Sequence, residues 1–209
     1  MVGRARFLGS AAASAAAVLA APVAAAEPQM RRWDEQRWVL DRTIEAVGMD
    51  WDQNRSNQIS GACGVESLGD IATIRARIKK LDDFTPAFEA AGRRRLGIAQ
   101  TAEAAGNPVT ARENYFLAAY YLAEAQWPIH EVDAQIMALN RDKRAAYAAY
   151  AKYADHHVEY VEIPFGGKTL PAVWHLPPGY ASGRIPAVVS VTGMHRNPTR
   201  KKISTDMLL

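Results

Sequence analysis

Apolar positions recur at helical spacing from Trp33 to Ala154, and the period changes to strand-like alternation at Val158. Trp33, Leu40, Ile44 and Val47 form a first helical stripe, which Gly48 is placed to end. Residues 49–64 are polar and glycine-bearing, which predicts a surface loop. Ser67 then stands as the cap of a second helix with Leu68, Ile71, Ile78 and Leu81 on one face. Asp70 at its third position completes a capping-box pattern. Thr85-Pro86 predicts a third start, with Phe84 packing back toward Phe88 or Glu89 and Gly106-Asn107 as the end. Thr110 to Glu113 reads as the capping box of a fourth helix that stops before Pro128. A fifth covers Val132 to Ala154, carried by Val132, Ile136, Leu139, Ala146, Tyr150 and Tyr153. Helices first and strands afterwards predict a helical unit preceding an α/β unit, not one alternating fold.

From Val158 the chain reads as strand. Val158, Tyr160, Val161, Ile163 and Phe165 mix β-branched and aromatic residues over a strand's length, and Gly166-Gly167 supplies a turn that tolerates positive φ. Thr169 to Leu176 returns as a second strand, and Pro177-Pro178-Gly179 ends the hairpin. After a polar loop through Ser182-Gly183 comes Ala187 to Gly193, AVVSVTG, a nearly continuous apolar run. Such a run suits a strand covered on both faces. Gly193 falls at its carboxyl end, where ligands bind in open α/β sheets.

Composition changes this picture at two places. The formal charge of +3 weakens once residues 1–26 are set apart, because they hold Arg4 and Arg6 and no acid. That leaves 23 of the 25 basic residues against 22 acidic ones. Four of these bases lie in 196–209, and no clustered basic face points to nucleic acid. Residues 1–26 themselves read as a cleaved signal peptide: two arginines, the apolar stretch FLGSAAASAAAVLAAPV, and an A-x-A-like site before Glu27. A periplasmic or secreted protein is therefore expected, with no membrane attachment after cleavage. The single cysteine, Cys63, forms no intrachain disulfide, and no His, Lys or Arg within five positions activates it.

The hairpin PFGGKTLPAVWHLPP followed by IPAVVSVTGM resembles the start of the catalytic domain of an α/β-hydrolase. The similarity is to the branch with a helical segment ahead of that domain, the fermentation-respiration-switch esterase and dihydroxypseudooxynicotine hydrolase group. It covers roughly Phe84 to Met194. The resemblance implies an α+β chain: a helical cap-like unit over residues 27–155, then the first sheet strands over 158–195, then a polar tail over 196–209. It implies that Gly193 and Met194 form the turn of an oxyanion hole, with the Met194 N–H as donor. It also implies a small-molecule substrate for the full-length relative, and no cofactor.

The chain also departs from that family. Gly-x-Ser-x-Gly occurs nowhere in the 209 residues, and no histidine follows Asp206 to complete a Ser, acid, His order after Ser190. No catalytic triad is assigned, and the expectation is a truncated chain inactive alone. Its open sheet edges would favour self-association.

Other motifs have plainer readings. The aromatics Tyr115, Tyr120, Tyr121 and Trp127 are candidates for a substrate pocket under a cap, with core packing as the competing role. Asp155-His156-His157 reads as polar capping of a helix end instead of a metal site, because adjacent histidines point apart. Arg93-Arg94-Arg95 reads as a solvated face with one interhelical ion pair. His195, beside the oxyanion turn, is not expected to be a general base. Ala111, Tyr115 and Ala118-Ala119 have tetratricopeptide-like spacing without a second copy. An exported helical binding module is the alternative to a hydrolase.

Overall fold

The computed structural model of the chain describes residues 32–129 and 132–189. Residues 1–26, expected to be a signal segment, and Gly193, Met194, His195 and the 196–209 tail lie outside the described residues. Among the described residues six α-helices precede one antiparallel hairpin: α1 Arg32–Val47, α2 Gln53–Cys63, α3 Leu68–Arg77, α4 Phe84–Ala104, α5 Pro108–Glu124, α6 Ala134–Tyr153, β1 His157–Phe165 and β2 Lys168–Leu176. The fold is α+β, mostly helical, as the pattern predicts.

Helices α4, α5 and α6 pack successively against one another. The α4–α5 pair is antiparallel. Thr85 at the start of α4 donates to the Ala125 carbonyl beyond the end of α5, at 2.8 Å. At the opposite end Tyr115 of α5 and Tyr153 of α6 both donate to Glu103 of α4. Mid-way, a Cβ on Gly92 would stand 2.9 Å from Leu122 Cγ and 3.3 Å from its backbone nitrogen. Hydrogen is thus the side chain that this close crossing admits.

The core gathers Phe84, Phe88, Tyr121 and Tyr147 with Ile71, Ile74, Ile78 and Leu81. Phe84 stacks on Phe88 with ring centres 6.0 Å apart as expected, but from inside the helix, whose cap is Asp83 and not Thr85.

Residues 49–64 differ from the expected loop. Most of them form α2, whose Asp52 cap accepts from the Arg55 N–H at 3.1 Å. Ser56, Ile59 and Cys63 turn inward at helical spacing. Arg55 binds Asp52 and reaches Glu124 of α5, with its guanidinium 4.2 Å over the Trp127 ring. Glu124 and Trp127 are remote in sequence, so local composition did not reveal the helix.

Three other local expectations also give way. Ser67 makes no cap bond and instead donates to the Gly64 carbonyl. Asp70 is 2% exposed and ion-paired with Arg94 and Arg95, so it completes no capping box. Helix α5 begins at Pro108, two residues ahead of the expected Thr110 cap. The arginine triplet is correspondingly richer than one ion pair, since Arg93 holds Glu89 and Asp142 while its two neighbours hold Asp70.

In the hairpin, Phe165 pairs with Lys168 across Gly166 (φ 54) and Gly167 (φ 73), the two positive angles that a type I′ turn requires. The pair flanking such a turn exchanges both hydrogen bonds, and alternate pairs then point their backbone groups outward. Pro164, opposite Thr169, and Pro171, opposite Glu162, both fall on outward positions. A missing N–H costs no ladder bond there.

The AVVSVTG run departs from its expected strand as far as it is described. Residues 184–189 carry no strand, and Val188 and Val189 are 66% and 85% exposed. A strand needs a ladder partner, and the sheet among the described residues contains β1 and β2 alone.

Candidate functional site

The candidate site is a cleft of about 670 Å3 between the end of β2 and the segment that follows it. A turn closes it: the Tyr180 N–H donates to the Pro177 carbonyl, with Pro178 and Gly179 (φ 74) at the two central positions. Tyr180 then donates its hydroxyl to the Gly183 carbonyl at 2.6 Å, fixing the return of the chain. Trp174, Pro177, Ile185 and Val188 supply apolar walls, and Asp155, His156 and His175 bring the polar groups.

These polar groups are connected in series. Asp155 Oδ1 lies 2.9 Å from His156 Nδ1, and His156 Nε2 lies 2.8 Å from His175 Nδ1. His175 Nε2 lies 3.1 Å from the Tyr147 hydroxyl of α6. With both rings neutral one proton arrangement satisfies every contact. Tyr147 donates to His175, His175 Nδ1–H donates to His156, and His156 Nδ1–H donates to Asp155. The hydrogen bond from His156 holds the Asp155 carboxyl below its ordinary range, with Arg112 of α5 adding attraction from 3.6 Å.

Alternation explains how β2 contributes. His175 shares a face with Val173, and that face meets the helical layer, where Tyr160 of β1 also touches Tyr147. The 154–156 connection after α6 brings His156 to the same place. His157 points elsewhere, with Nε2 3.3 Å from Glu159. The two adjacent histidines therefore diverge as expected, but His156 binds His175 and does not cap α6. Sequence reasoning passed over His175. The register places it opposite Val158, two residues from His156, which is the signal that would have found it.

The cleft is suited to moving or holding a proton beside an apolar ligand. Its described lining contains no serine, threonine or cysteine to act as nucleophile. Among the described residues no group of three or more His, Cys, Asp or Glu side chains is placed to hold a metal ion.

The aromatic pocket candidates lie elsewhere. Tyr120 and Tyr121 are buried in the main core, and Trp127 packs against its edge between Phe84 and Trp51. Tyr115 sits in a separate cluster with Ala99, Ala102 and Ala111. None of the four lines the cleft. Burial, reinforced by the bond to Glu103, pushes the Tyr115 phenol up to about 12. Burial also raises Tyr121, whose hydroxyl has no hydrogen-bond partner among the described residues. All four rings pack within the helical layer.

Cys63 ends α2, where burial and then the charge of Glu124 push its thiol up to about 12 against the pull of Arg95. A thiolate is the reactive species, so the native chain is expected to resist a thiol-exchange reagent at about pH 8. One full equivalent should appear once urea unfolds the protein. Rapid modification without denaturant would show that this burial is wrong.

Comparison with known proteins adds what this geometry lacks. The chain is 33% identical over 127 residues to the alpha/beta hydrolase psoB of Aspergillus fumigatus, covering 57% of this chain and 28% of that protein. It is 32% identical over 139 residues to the alpha/beta hydrolase xenA of Xenoacremonium sinensis, and 31% identical over 139 residues to the alpha/beta hydrolase pydG of an Acremonium species. Each of these two matches covers 64% of this chain and 32% of the relative. This chain is related to α/β-hydrolases. It spans about a third of the length of the curated relatives it matches. No protein-family model matches it. The α/β-hydrolase relationship agrees with the hydrolase resemblance of the hairpin and of the helices before it.

Proposed function

We propose that this chain supplies the helical cap and the first strands of an exported α/β-hydrolase. The enzyme would cleave an ester or an activated carbon–carbon bond in a small organic molecule. The relationship to proteins named alpha/beta hydrolase carries the reading, together with an order of helices first and a hairpin after them. The signal-like residues 1–26 support export.

The reaction would pass through an acyl-enzyme. A serine activated by a His and acid pair attacks the carbonyl carbon, and its proton passes to the histidine and then to the leaving group. Backbone N–H groups, that of Met194 among them, hold the developing oxyanion. Water then releases the acyl group. Within the 209 residues Met194 and cleft walls are the contribution, because no nucleophile elbow is present.

The 209-residue chain is therefore expected to show no turnover of p-nitrophenyl esters and no labelling by a fluorophosphonate. The coding DNA after the Leu209 codon is expected to encode Gly-x-Ser-x-Gly in one frame. A chain extended through that elbow and its downstream histidine should take the label. Labelling of a serine within the 209 residues, or downstream DNA without an elbow, would overturn the proposal.

A further inference from the structure

We propose that His156 and His175 form a proton-counting latch, which fastens the end of β2 to the connection between α6 and β1 and opens when both rings become imidazolium. The geometry is that of a hydrogen bond along the line of the two rings. Their centres are 5.0 Å apart and their planes 26° from parallel, while the facing nitrogens are 2.8 Å apart. The centre separation is close to that contact plus the two ring radii, so the rings meet end to end and not face to face.

The bridge has room for one proton. The pair can carry a proton on each outer nitrogen as well, since Asp155 accepts from His156 and the Tyr147 hydroxyl can turn to accept from His175. Three protons on four nitrogens therefore leave the contact intact. A fourth sets two N–H groups against each other and places two like charges end to end.

The groups facing the pair are Asp155 before it, Arg112 from α5, Tyr147 from α6, and Tyr180 and Arg184 from the far wall of the cleft. Asp155 favours the charged rings, whereas Arg112 and Arg184 oppose a second charge. Opening would part the end of β2 from the connection after α6, with the Tyr147 contact kept, and widen the cleft at its polar end. This inference concerns how the hairpin is attached and stands whether or not the hydrolase reading does.

Nitrogen-15 NMR of histidine-labelled protein and amide hydrogen exchange test it together. At about pH 8 both rings are expected as Nδ1–H tautomers. Protection factors of the ladder-bonded amides of Trp174 and Leu176 are expected to fall about tenfold between about pH 8 and about pH 5. In His156→Gln, whose amide oxygen still accepts from His175 but which takes no second proton, they should stay level. Asp155→Asn, which keeps the acceptor without its charge, should move the fall to more acid pH. An Nε2–H tautomer on either ring, level protection in the unaltered protein, or an equal fall in His156→Gln would overturn the latch.

Discussion

Replacing Asp70 by alanine is expected to cost about 3–5 kcal/mol of folding stability, read as a lower urea midpoint at unchanged slope. Asp70 is 2% exposed and accepts from Arg95 at 2.6 Å while also pairing with Arg94. Arg95 spends its other donors on Asn114 of α5 and on the Glu66 carbonyl, at 2.9 and 2.7 Å. One guanidinium thus ties α4 to α3, to α5 and to the turn before α3. Removing the carboxylate leaves that nearly enclosed cation without its counter-charge, which is what makes the loss large. Arg94→Ala takes away a half-exposed partner of the same carboxylate and should cost about 1 kcal/mol or less. Equal losses in the two variants would show that Asp70 is not the hub of this cluster.

Phe88→Ala is expected to cost a similar amount, about 3–5 kcal/mol, for a different reason. Phe88 is fully buried, stacked on Phe84 and 6.3 Å from the Tyr121 ring. Truncation opens a ring-sized hole where α4 meets α5, and the close approach at Gly92 leaves these helices little freedom to collapse into it. Phe88→Leu fills most of the volume and should recover much of the loss. A midpoint that barely moves in Phe88→Ala would place this ring outside the core.

Sequence and structure agree where the determinants are local. Gly106-Asn107 ends α4 because a helix end depends on the residues at that position, whereas its start falls at Phe84 after an Asp83 cap, just ahead of the expected Thr85-Pro86. Gly166-Gly167 marks the hairpin for the same reason, since the backbone angles of its turn suit glycine. The hydrolase relationship was likewise legible in the hairpin and the order of elements. What escaped depends on distance along the chain. Helix α2 is anchored through Arg55 to Glu124, 69 residues away. Asp70 looks like a capping residue until two arginines of another helix claim it. His156 and His175 meet only because the register of β1 and β2 brings them together. The cleft was hidden for that reason, although each of its residues stood in plain view.

Pro164 and Pro171 have a consequence for how the sheet can grow. Both interrupt the outward row of amide donors in the half of the hairpin nearest its turn. An incoming strand, whether from further along the chain or from a second molecule, finds an unbroken row only in the half nearest the helices. The permitted direction of extension is thus written into the ribbon itself. Indefinite stacking of hairpins tip over tip, the route to fibrils, meets an imino acid on either side.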